Sequence, residues 1–162
     1  MRSVVTLPVL LATALPAHAA SLCTDREQVV LSCLIGHRIV SLCASRGISP
    51  VRGHLRYAFG RPGHVETQIS PDDAAAAFSE GVIPYPKGGA DYVRIRSGRT
   101  GYVVYAAMVP GWEQDGVVVE IDGKPLKSLL CPGYALGPDG WAPAYVAKLA
   151  KDTRGFEVPD AR

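Results

Sequence analysis

The sequence contains no G-x-S-x-G elbow, no H-E-x-x-H pair, no G-x-x-x-x-G-K-[ST] loop and no C-x-x-C motif. Those absences remove the ready-made signatures of a serine hydrolase, a zinc hydrolase, a nucleotide phosphate cradle and a dithiol oxidoreductase. Charge of one sign is also missing. Lysine and arginine number 17 against 15 aspartates and glutamates, a formal charge of +2. A general binder of nucleic acid or anionic membrane would carry a strong basic excess or a clustered basic face. Past the first 19 residues no apolar run approaches the roughly 20 residues that a spanning helix needs, so no transmembrane segment is expected. With 48% hydrophobic residues the chain is not a disordered tail either.

The N-terminus sets the expected compartment. Arg2 supplies a positive start, residues 4–16 are a short apolar run, and Ala17-His18-Ala19 is a small-x-small cleavage site. Residues 1–19 therefore read as a signal peptide and 20–162 as a single disulfide-stabilised β domain, periplasmic or secreted. Leu22 rather than a small residue precedes Cys23, which argues against a lipid anchor. The remaining residues, about 140, are enough for one domain that buries roughly two thirds of its unfolded surface.

The stretch 27–44, EQVVLSCLIGHRIVSLCA, holds two of the four cysteines and the densest run of β-formers. It reads as a hairpin turning at Ile35-Gly36, apolar enough on both sides to lie between two layers. Four cysteines in an exported chain predict two disulfides. A bridge needs Cα atoms about 4.4–6.8 Å apart. A turn at Ile35-Gly36 sets Cys33 opposite Arg38 and leaves Cys43 far down the ladder, which disfavours Cys33–Cys43. Extended chain between Cys23 and Cys33 disfavours that pair too. Elimination leaves Cys23–Cys43 with Cys33–Cys131, the second tying the first hairpin to a late strand.

Further hairpins follow. Leu55, Tyr57 and Phe59 alternate with His54 and Arg56, Arg61-Pro62-Gly63 turns, and Val65, Thr67 and Ile69 alternate on the return. Ser70-Pro71-Asp72-Asp73 resembles a helix start and predicts a short helix over 74–78, ended by Gly81. Residues 92–96 and 102–109 form the best-patterned hairpin, and the return strand, apolar on both faces, should be central. Residues 111–116 read as a loop and 117–121 as a strand. Asp122-Gly123 is a strong two-residue hairpin signal, and Pro125 marks the strand after it as an edge. A second short helix is expected within 144–151. The predicted fold is an all-β antiparallel sandwich or flattened barrel of about eight strands with one or two short helices.

Groups able to carry chemistry are sparse. His54, His64 and Glu66 could assemble as a metal site only if the hairpin made them neighbours, and outward polar residues are ordinary on a solvated sheet face. Asp72 and Asp73 are explained by the dipole of the expected helix. No nucleophile, base and orienter occur together, so no catalytic residue, metal or cofactor is assigned and a non-enzyme is expected. The more informative surface is the loop and strand 85–96. Gly88 and Gly89 permit close backbone approach, Tyr92 offers an amphipathic contact, and Arg94 and Arg96 place positive charge beside it. Tyrosine and arginine dominate protein interfaces, so these five residues are the candidate binding set.

Cys23, Glu27, Ser32-Cys33, the run Val40-Ser41-Leu42-Cys43-Ala44-Ser45, the strand Leu55-Arg56-Tyr57-Ala58-Phe59-Gly60 and Gly88-Gly89-Ala90-Asp91-Tyr92 together resemble a widespread family of small exported proteobacterial proteins. That resemblance covers most of the mature chain and implies no activity. The last motif is also similar, over about five residues, to the Ser-Gly-x-x-Tyr loop that inhibitors of c-type lysozyme insert into the enzyme's cleft. Gly88 stands where that serine would be, and the inhibitors' second motif, ending Thr-Lys-Gly, has no counterpart after Tyr102. The similarity implies a non-enzymatic envelope protein that binds a protein partner and inhibits a cell-wall hydrolase. The alternatives are a small-ligand carrier with a barrel cavity and a metal-dependent hydrolase.

Overall fold

The computed structural model describes residues 21–160; the signal peptide expected over 1–19 lies outside the described residues. Two sheets face each other. The first has the order β1-β2-β3-β4, built from β1 (Glu27–Ile35), β2 (Arg38–Ser45), β3 (Leu55–Arg61) and β4 (His64–Ile69). The second has the order β10-β5-β6-β7-β8-β9, from β5 (Ala76–Tyr85), β6 (Gly88–Ser97), β7 (Thr100–Val109), β8 (Trp112–Ile121), β9 (Lys124–Leu130) and the two-residue β10 (Ala150–Lys151). One short helix, α1 (Ala142–Val146), precedes β10. All pairings are antiparallel except β10 on β5. The sheets stay separate, so the fold is a sandwich and the flattened-barrel alternative does not apply.

Strand alternation puts Leu42, Leu55, Tyr57 and Ile69 of the first sheet against Val93, Ile95, Val104 and Val117 of the second in one buried cluster. The Tyr57 and Tyr102 rings stack across it with centroids 4.6 Å apart. Each sheet is also covered on its outer face. Leu22 packs on Ile39 and Ala58 outside the first sheet. Phe156 and Val158 pack on Tyr92, Val103, Tyr105 and Val118 outside the second. β7 lies between β6 and β8, and it is buried on both faces, Val104 in the inner cluster and Val103 and Tyr105 in the outer one, as its apolar run predicts.

Both expected disulfides are present, Cys23–Cys43 with Cα atoms 5.5 Å apart and Cys33–Cys131 with 5.7 Å. The register behind them differs by a step. Ile35 pairs with Arg38, so the turn is Gly36-His37, Cys33 faces Val40, and a bulge near Val30 sets Val29 opposite Cys43. A left-handed Gly36, φ 63°, makes that later turn possible.

The expected helix over 74–78 is absent. Asp73 Oδ2 accepts the Ser70 N–H at 2.7 Å and the chain turns, but from Ala76 it enters β5. Phe78 opposite Ile95 joins the buried cluster, and ten residues of β5 pair with β6. A complete ladder and a core side chain outweigh a capping signal. Gly81 is no terminator either: a Cβ there would sit 2.2–2.5 Å from the Tyr92 ring and hydroxyl, so the glycine makes room for Tyr92. Strand β8 begins at Trp112 rather than Val117, because Pro110-Gly111 already closes a tight turn.

Open edges are few. Residues 135–137 lie along β1, with Ser32 N–H to Ala135 O at 2.8 Å and Gly137 N–H to Val30 O at 2.9 Å. β10 covers the edge of β5. Pro125 stands at a register break on the edge strand β9, where a missing N–H discourages pairing with another chain.

Candidate functional site

The five candidate residues all lie on β6, and the strand delivers them to different places. Tyr92 and Arg94 do point to the outer face of the six-stranded sheet, but the C-terminal segment covers that face there. Each is only 3% exposed. The Tyr92 hydroxyl donates to Asp152 Oδ2 at 3.0 Å, and its ring lies against Phe156, centroids 5.2 Å apart. Burial and that hydrogen bond push the Tyr92 phenol up to about 12.

Arg94 is the clasp of the segment. Its Nε donates to Asp152 Oδ2 at 3.1 Å, one terminal nitrogen donates to Glu120 Oε1, and the other donates to the carbonyl of Gly155. Arg154 approaches the second Glu120 oxygen at 3.6 Å, so two arginines balance two buried carboxylates. Gln114 adds a hydrogen bond to Pro159 O at 2.8 Å. The guanidinium's planar fork suits such convergence. The first sheet repeats the device: Arg56 pairs with Glu27 at 2.6 Å and donates to Leu22 O at 2.9 Å, pinning the N-terminal segment. Burial pushes the Glu27 carboxyl up, but hydrogen bonds from Arg56 and Thr24 outweigh it and hold the group below its ordinary value.

Arg96, beyond the covered zone, is exposed. It lines a shallow cleft with Ser79, Lys151, Thr153 and Arg154.

Gly88 and Gly89 occupy the opposite end of β6, next to the β5–β6 turn. Tyr85 pairs with Gly88, and the adjacent β7–β8 turn pairs Val109 with Trp112. The two turns therefore bring Tyr85 and Trp112 together, edge to face, with centroids 6.4 Å apart at 89°. With Pro86, Lys87, Val109 and Pro110 they line an open cleft of about 350 Å³. A Cβ on Gly88 would lie 2.2 Å from Met108 O, so only glycine lets the strands close here. Lys87 holds φ at 63°, where a side chain costs roughly 1–2 kcal/mol.

Trp112 is what reading the sequence missed, because 111–116 looked like a loop. The signal was Val109-Pro110-Gly111-Trp112, a turn dipeptide between two strand-formers. The His54, His64 and Glu66 grouping is not assembled. Arg61, at the far end of β3 from His54, is the residue that pairs with His64. Glu66 is held by Arg38 at 2.8 Å and Arg61 at 3.0 Å. Among the described residues no helix is long and apolar enough to cross a membrane.

Comparison of the chain with protein-family models, curated proteins and solved structures gives no significant match.

Proposed function

We propose that this is an exported, periplasmic binding protein without catalytic activity, which recognises a protein partner through the Gly88 end of the six-stranded sheet and inhibits a cell-wall hydrolase. The edge-to-face pair of Tyr85 and Trp112 in an open cleft carries the reading. Tyrosine and tryptophan supply large, rigid contact area and dominate binding hot spots. Gly88 lies on the same face as this cleft, Gly89 opens on the other face of the sheet, and Arg96 is exposed at the other end of the strand. Tyr85, Lys87 and Trp112 take the contact role that the sequence alone gave to Tyr92 and Arg94. Two disulfides suit an oxidising compartment.

The test is residual lysozyme activity against the purified, oxidised protein, with c-type, g-type and i-type enzymes in parallel. Inhibition of one class at near-stoichiometric amounts is expected. Trp112→Ala should weaken it by about tenfold or more, as loss of an aromatic anchor does; Trp112 also packs against the outer-face cluster, so inhibition is compared well below the melting transition of the variant. Activity of all three enzymes left intact rejects the inhibitor reading, and undiminished inhibition by Trp112→Ala rejects the cleft as its site.

A further inference from the structure

Consecutive strand residues face opposite ways. Gly88 belongs with the Tyr85–Trp112 cleft, and Gly89 borders a second cavity of about 160 Å³ on the inner face of the sheet. Here the six-stranded sheet extends past the four-stranded one, leaving Met108 50% exposed although it sits in the row facing the first sheet. The chain from Cys131 into α1 forms the other wall, with Tyr134, 65% exposed, and the buried Trp141.

Asp91, Glu113 and Asp115 all line this cavity. Asp91 Oδ1 accepts the Tyr145 hydroxyl at 2.5 Å, and Asp115 Oδ2 accepts the Ala135 N–H at 2.8 Å. Asp115 is only 7% exposed; Ala135 holds its Oδ2, and its Oδ1 is not among the sealed, unpartnered side-chain oxygens of the described residues. Burial, only partly offset by the Ala135 N–H, and the neighbouring Glu113 charge push the Asp115 carboxyl above its ordinary value. No cation among the described residues pairs with any of these carboxylates, whereas the buried Glu27, Glu120 and Asp152 each hold an arginine. A cavity with negative walls and no counter-charge is complementary to a cation.

Its lining narrows the class. A slim chain of four methylenes ending in an ammonium suits it: the apolar wall formed by Met108, Leu136 and Trp141 takes the stem, the carboxylates take the head, and aromatic faces attract ammonium. We propose that the groove between Met108 and Trp141 receives a lysine side chain of a partner protein, with Asp115 and Glu113 taking the ammonium. The groove lies across the sheet from the Tyr85–Trp112 cleft, and the inference does not rest on the inhibitor reading.

An NMR titration of the oxidised protein tests it, using Nα-acetyl-lysine N-methylamide, the norleucine analogue that lacks the amine, and free 1,4-diaminobutane. The lysine compound should give saturable shifts at the Trp141 indole and the Met108 amide with a Kd on the order of millimolar, the range for one side chain. The norleucine analogue should give none. Asp115→Asn should weaken binding several-fold while melting no lower than the parent, since asparagine keeps an acceptor for Ala135 and removes a buried charge; Glu113→Gln should weaken it in the same direction. Equal binding of the norleucine analogue, absence of saturation at Trp141 and Met108, or tighter binding of the free diamine would overturn the assignment.

Discussion

Arg94→Met will destabilise the protein by about 3–5 kcal/mol, the usual cost of leaving buried charges without their partner. Glu120 and Asp152, with side chains 5% and 4% exposed, lose the guanidinium that both contact. The Gly155 carbonyl loses its donor as well. Against a typical total of 5–15 kcal/mol, that loss is a large share. Urea unfolding gives the magnitude. Hydrogen exchange gives the mechanism, because the Asp152 N–H, bonded to Glu80 O at 2.7 Å, should lose protection together with the segment that follows it. Arg94→Lys should recover part of the stability, since one ammonium cannot reproduce three directed contacts. A loss below about 1 kcal/mol, within the range of an exposed ion pair, would mean that Arg94 is not a buried clasp.

Removing the Cys33–Cys131 bridge by a double alanine substitution will cost about 4–5 kcal/mol in the chain-entropy model, because the bridge closes 98 residues of sequence. Cys23–Cys43 spans only 20 and should be worth about 3 kcal/mol on the same reasoning. The difference has a structural counterpart. Cys33 lies on β1 and Cys131 directly after β9, so this bridge ties one sheet to the other. The segment after Cys131 then runs on to protect the β1 edge at Ala135 and Gly137. Denaturation of the two double variants under oxidising conditions decides the order. Greater loss from the Cys23/Cys43 pair would show that local packing around the buried Cys43, rather than loop closure, sets the contribution.

Much of this framework was legible in the sequence, and the reason is local. Disulfide pairing followed from how far an extended chain holds two cysteines apart, an argument that survived a one-step error in the turn at Gly36-His37. Asp122-Gly123 read correctly because both residues take positive φ, 51° and 77°, as a tight hairpin of this hand requires. The helix expected over 74–78 failed for a non-local reason. Ser70 and Asp73 do form a capping-like turn, but the strand after it is selected by β6, which no local signal announces. The same limit applied to the site. Alternation sets Tyr92 and Arg94 on the face opposite Val93 and Ile95, yet nothing near them in sequence tells that residues 152–160 return to cover them. Two carboxylates 26 and 58 positions away explain the burial of Arg94. Pairing of Tyr85 with Trp112 likewise joins two separate turns.

Tyr85 and Trp112 are partly exposed at the Gly88 end of the sheet, whereas Tyr92 is sealed beneath the C-terminal segment. Hydroxyl-radical footprinting of the native, oxidised protein, read by mass spectrometry, distinguishes the two. Oxidation is expected to proceed readily at Tyr85, Met108, Trp112, Tyr134 and Tyr145, and far more slowly at Tyr92 and Tyr105. Labelling of Tyr92 as fast as that of Tyr85 would mean that the segment does not cover the face and that Tyr92 is available as a contact residue.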